Sequence, residues 1–90
     1  MIQRTIWFSG RVQGVGFRYT ACQVADEFAI TGYVRNLPDG RVEAVVEGEQ
    51  AEVERFLAAL DRQMAGNIRE RQYQDGDATG RFHGFGVRYS

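Results

Sequence analysis

Ser9-Gly10-Arg11-Val12-Gln13-Gly14-Val15-Gly16-Phe17-Arg18 decides how this chain folds. Three glycines, at 10, 14 and 16, close an apolar strand-like run and open a helix-like one. Upstream, residues 2 to 10 read as a strand. Thr5/Trp7 and Ile6/Phe8 put apolar groups on both of its faces, which predicts a central position in a sheet. Downstream, Phe17, Ala21, Val24, Ala25 and Phe28 recur at helical spacing and predict an amphipathic helix over about 17 to 29. The stretch is therefore a strand-to-helix turn.

Further along, Gly32 is expected to end that helix, and residues 33 to 37 read as a short strand. Pro38-Asp39-Gly40 is a tight-turn signature, because Pro presets φ and Gly accepts positive φ. Val42, Ala44 and Val46 then alternate with Glu43, Val45 and Glu47, which predicts a half-buried strand hairpinned to the one before it. Val53, Phe56, Leu57, Leu60 and Met64 define a second helix over about 50 to 64. Residues 67 to 74 are ambiguous, and residues 75 to 80 read as a polar loop. Phe85, Val87 and Tyr89 alternate with Gly86, Arg88 and Ser90 in a closing strand. The order predicts one α+β domain over residues 1–90. Its layout is a ferredoxin-like βαββαβ sandwich, an antiparallel sheet with two helices packed on one face.

Composition narrows the chemistry. Net charge is −1, from 11 basic and 12 acidic residues, so no basic field draws nucleic acid. All 11 basic residues are arginine. Without lysine there is no Schiff base, no lysine general base and no Walker-type lysine. Cys22 is the single cysteine and cannot form an internal disulfide, which fits a reducing compartment. The chain has neither an apolar leader pattern nor an apolar run long enough for a membrane span, so a cytoplasmic protein is expected.

A lone Gly-x-Gly before a helix is most often only a turn. Here the loop also holds Gln13 and ends in Arg18, within the first turn of the predicted helix. Backbone N–H groups at a helix start favour anions, and an arginine there opposes the helix dipole unless an anion sits between. Its planar fork suits phosphate. The loop lacks the Gly-Lys-Ser/Thr of a nucleotide P-loop and the spacing of a dinucleotide fingerprint. Asn36, before the turn, is by itself an ordinary turn former. His83 has no Ser or Cys partner and reads as a surface residue. Cys22 lies inside the first helix, near the core. The pairs and groups at Glu43/Glu47 and Glu49/Glu52/Glu54 read as solvated faces, and Trp7 and the phenylalanines as core. No His/Cys cluster has metal-ligand spacing.

The stretch Gly10-Arg11-Val12-Gln13-Gly14-Val15-Gly16-Phe17-Arg18 resembles the signature loop of the acylphosphatase family. Gly32-Tyr33-Val34-Arg35-Asn36-Leu37-Pro38-Asp39-Gly40-Arg41-Val42-Glu43 resembles that family's second motif, and Phe85-x-Val87-x-Tyr89 its C-terminal strand. Met64-Ala65-Gly66-Asn67 departs from the pattern in lacking a Gly-Pro. The resemblance implies the ferredoxin-like fold and hydrolysis of a small-molecule acyl phosphate, without metal or organic cofactor. It implies that Gln13, Gly14, Val15, Gly16, Phe17 and Arg18 hold the phosphoryl group and that Asn36 orients the attacking water. A monomer is expected, with no nucleic-acid or membrane partner. Three other readings stand beside this one. The first is a carbamoyl-phosphate-specific domain like that of hydrogenase-maturation carbamoyltransferases. The second is an RNA-binding module, suggested by Arg81-Phe82-His83-Gly84-Phe85-Gly86-Val87 but opposed by Glu43 and Glu47 on the third strand. The third is a non-catalytic ligand sensor.

Overall fold

The strand predicted over 2 to 10 forms as β1 (Ile2–Gly10), and the helix behind the glycine loop as α1 (Phe17–Ala25). The other elements are β2 (Ile30–Asn36), β3 (Val42–Gly48), α2 (Gln50–Met64), β4 (Ile68–Asp77) and β5 (Phe85–Arg88). They belong to a computed structural model that describes residues 1–89. Ser90, expected in the closing strand, lies outside the described residues.

The strands lie in the order β4-β1-β3-β2-β5. β1 pairs antiparallel with β3 and β4, and β2 pairs antiparallel with β3. These four strands and two helices make the expected ferredoxin-like α+β sandwich. The expectation of an antiparallel sheet is corrected at one edge, because the closing strand β5 joins the outer edge of β2 in parallel and makes the sheet mixed. β4 ends at the end of the sheet where β2 begins. A direct crossing by residues 78–84 therefore delivers β5 in the direction of β2.

The period of two along each strand sorts its side chains between faces. Ile6 and Phe8 of β1, Val34 of β2, and Val42, Ala44 and Val46 of β3 face the helices and are 0–1% exposed. They pack against Phe17 and Ala21 of α1 and Val53, Phe56 and Leu60 of α2 in one hydrophobic cluster. No described helix is long and apolar enough to cross a membrane.

Four local expectations are corrected. α1 stops at Ala25, not near 29: the Glu27 and Phe28 amides donate to the Val24 and Ala25 carbonyls, tightening the last turn. Phe28 still reaches the core from that turn, its ring 6.4 Å from that of Phe56, so its periodicity overran the helix. Gly32 sits inside β2 and does not mark a helix end. Its φ is +141°, and a Cβ there would collide with the Val45 carbonyl across the ladder. Residues 68–77 form a ten-residue edge strand, so part of the expected polar loop is strand. Its ladder with β1, from Ile2↔Asp77 to Gly10↔Ile68, holds a sequence too polar to declare itself.

The last correction concerns the open face. Glu43 and Glu47 are buried, at 8% and 4% exposure. β3 has a partner strand on each side, and residues 78–84 cross over its open face as a strap. Glu47 Oε2 accepts from the Thr79 amide (2.8 Å), the Thr79 hydroxyl (2.7 Å) and the Gln3 side chain (2.7 Å), while Oε1 accepts from the Gly80 amide (3.0 Å). Burial alone would push this carboxyl up. The donors of Thr79, Gln3 and Gly80 outweigh it and hold the pKa at about 2. Trp7 is not core either. It is half-buried on the same open face, its Nε1–H donating to Glu43 at 3.0 Å.

Candidate active site

The loop between β1 and α1 is pinned at both ends. Val12 and Phe17 are 1% and 2% exposed, and the Phe17 ring lies 5.0 Å from that of Phe8 at the end of β1. Burying such side chains stabilises by about 1.5–3 kcal/mol each, enough to fix the ends while the tip stays outside. Gly14 and Gly16 have φ of 76° and 78°, and a Cβ at either meets nothing within 4 Å. The demand for glycine is thus conformational: a left-handed backbone, not crowding.

Gly16 caps α1 without a side-chain hydrogen bond, and the first turn holds no acidic residue. The Thr20 amide donates to the Gly16 carbonyl at 2.9 Å. Among the described residues, the amides of 14 to 19 ahead of it have no backbone acceptor. A row of free N–H groups at the positive end of a helix is an anion site.

Arg18 projects from the first turn, its guanidinium carbon 5.3 Å from the centre of the Tyr89 ring. Among the described residues no carboxylate pairs with it. Asn36 is the last residue of β2 and shares the helix-side face with Val34, two residues before it. That places its side chain beside the loop. Its Oδ1 is buried and has no hydrogen-bond partner among the described residues. A buried polar atom left without a partner costs free energy and calls for an explanation. Gly14, Gly16, Arg18 and Asn36 open on one cavity of about 320 Å³.

The other expected site residues are placed differently. The side-chain amide of Gln13 donates to the Leu37 carbonyl at 2.8 Å and the Arg41 carbonyl at 2.9 Å. It braces the loop against the β2–β3 turn. Val15 stands at the tip, 38% exposed, and is not part of the cavity wall. Phe17 lines the cavity from its buried side.

Val12, Tyr19, Cys22, Val87 and Tyr89 complete the wall. Sequence reasoning assigned none of them to the site. Cys22 follows Arg18 by four residues, which puts both on one helical face, so a signal existed. Burial, with a smaller contribution from Asp26, pushes the Cys22 thiol up, away from the reactive thiolate. His83 is exposed, as expected.

Among the described residues, backbone amides without acceptors, a guanidinium without a carboxylate partner and the start of α1 thus border one cavity, with the Asn36 side chain on its wall. Among the described residues, no three His, Cys, Asp or Glu side chains converge. A sequence model of the acylphosphatase family matches residues 4–87. The chain belongs to the acylphosphatase family. The acylphosphatase of Paenarthrobacter aurescens is 41% identical over 87 residues, 96% of this chain and 93% of that protein. Matches of 53% to 56% identity are shorter and span 54% to 67% of those acylphosphatases. The crystal structure of the acylphosphatase from Bacillus subtilis is 32% identical and superimposes with a TM-score of 0.87 over 99% of this chain and all of that one. T. kodakarensis HypF, also 32% identical, matches with a TM-score of 0.85, all of this chain against 12% of that one.

Proposed function

We propose that this acylphosphatase-family chain hydrolyses the carboxyl–phosphate bond of an acyl phosphate. Water attacks phosphorus, the bond from phosphorus to the acyl oxygen breaks, and carboxylate and inorganic phosphate leave. In this reading the loop amides from 14 to 18 and the Arg18 guanidinium bind the phosphoryl oxygens. They stabilise the charge spread over those oxygens as the bond breaks. The Asn36 side chain accepts a hydrogen bond from the attacking water and fixes it in line. Asn is neutral and too weak a base to remove the proton, so a phosphoryl oxygen of the substrate receives it. An acyl phosphate has a good leaving group, and positioning with charge stabilisation suffices.

The observation that carries the reading is the unpartnered Oδ1 of Asn36 in the same cavity as Arg18 and the loop glycines. The test is hydrolysis of benzoyl phosphate after dialysis against EDTA. Turnover should be unaffected by the chelator, and inorganic phosphate should inhibit competitively. Loss of turnover restored by a divalent metal would contradict the reading. Carbamoyl phosphate, the substrate of the alternative reading, is the second compound to assay.

A further inference from the structure

A concavity larger than the loop cavity lies on the opposite face of the sheet, with a volume of about 590 Å³. Its floor is Thr5, Trp7, Glu43 and Val45, and the strap bounds it with Arg81 and Phe82. Tyr33, Arg35 and Arg88 form the wall on the β2–β5 side.

Its polar floor is already satisfied. Glu43 Oε1 accepts from Arg35 Nε at 2.8 Å and from the Tyr33 hydroxyl at 3.2 Å, and Oε2 accepts from Trp7. Asp75, at the rim, is paired with Arg4. Both carboxylates of the pocket are therefore neutralised inside the fold, and neither invites a cation. The groups left over are cationic and aromatic. Among the described residues Arg81 and Arg88 have no carboxylate partner. The Arg88 guanidinium lies 4.0 Å from the Tyr33 ring centre and 5.8 Å from that of Phe82, and the two rings are 5.8 Å apart. Pinning of the strap through Glu47 presets this cluster.

We propose that this pocket binds a nucleoside monophosphate, its base against Trp7 and Phe82 beside the Arg88-covered Tyr33 ring and its phosphate on Arg81 and Arg88. An inorganic anion would leave the aromatic surface unused, and a neutral ring would leave two arginines unpaired. The volume is in the range of small-molecule sites, roughly 300–1,000 Å³. The net charge of −1 gives no field for a polyphosphate strand, so a free nucleotide is the occupant.

The chain's single tryptophan, Trp7, is on the pocket floor and reports directly. Adenosine 5′-monophosphate is titrated by calorimetry, with Trp7 fluorescence followed in parallel. Saturable binding that changes the fluorescence is expected, undiminished by inorganic phosphate sufficient to fill the loop site. Arg81→Ala/Arg88→Ala, both exposed positions, should weaken binding about tenfold or more, as loss of charged hydrogen-bond partners does, while benzoyl phosphate turnover stays at the parent rate. No binding at millimolar nucleotide, displacement by inorganic phosphate, or unchanged affinity in the double variant would overturn the proposal. So would a single-stranded RNA that binds far more tightly than the mononucleotide.

Discussion

The Gln13 side chain donates to the Leu37 carbonyl at 2.8 Å and so ties the β1–α1 loop to the residue next to Asn36. The two halves of the candidate site come from different elements, and this bond sets the distance between them. The Arg41 carbonyl also accepts from the Leu37 amide and the Leu37 carbonyl from the Gly40 amide, so neither is orphaned without Gln13. Gln13→Ala should therefore cost only about 1 kcal/mol of stability. Its kcat/KM for benzoyl phosphate should fall about tenfold, the cost of a loosened water-to-phosphate geometry. Urea unfolding and steady-state kinetics on the same sample separate the two effects.

Asn36→Ala removes the group assigned to the water and leaves the phosphate cradle intact. We expect kcat to fall by roughly 100-fold or more, in the range seen for a lost preorganised group. The inhibition constant for inorganic phosphate should move less than about threefold, because no phosphate contact is removed. A parallel loss of phosphate affinity would place Asn36 in binding.

Gly16→Ala places a Cβ on a backbone with φ of 78°. The strain of a left-handed alanine is about 1–2 kcal/mol. Open space surrounds the position, so the variant should fold and lose about that much stability by denaturant titration. If the loop relaxes to relieve the strain, KM rises with it.

Glu47 links pH to stability. Its pKa lies near 2 in the folded state against 4.5 for the free group. The folded state thus holds the carboxylate more tightly deprotonated. Its contribution is full above about pH 4.5 and is lost as pH falls toward 2. Glu47→Gln removes the charge but not the volume, and should destabilise by about 1–3 kcal/mol at pH 7. The difference from the parent should shrink between pH 4.5 and 2 in acid unfolding followed by circular dichroism.

Legibility followed periodicity. β1, α2 and the start of α1 carry apolar residues at spacings that admit one reading. The glycine loop was readable because positive φ and a helix start leave a chemical trace. β4 was not, because Arg69, Glu70, Gln72 and Gln74 gain strand conformation only from the ladder with β1. The burial of Glu43 and Glu47 was hidden because it depends on a strap from residues 30 and more further along the chain. Arg18 and Asn36 were legible as residue types. That Tyr89 would stand beside Arg18 depends on the parallel docking of β5, which alternation alone does not specify.

The most direct test of the account is the rate of benzoyl phosphate hydrolysis by Arg18→Ala against the parent, with inorganic phosphate binding measured on both. Among the described residues, Arg18 is the only charged side chain lining the cavity. The account predicts a fall in kcat/KM of about 100-fold or more, on the scale of losing a preorganised charge donor, together with weakened phosphate binding in a protein that remains folded. A folded Arg18→Ala protein that hydrolyses benzoyl phosphate at the parent rate would contradict it.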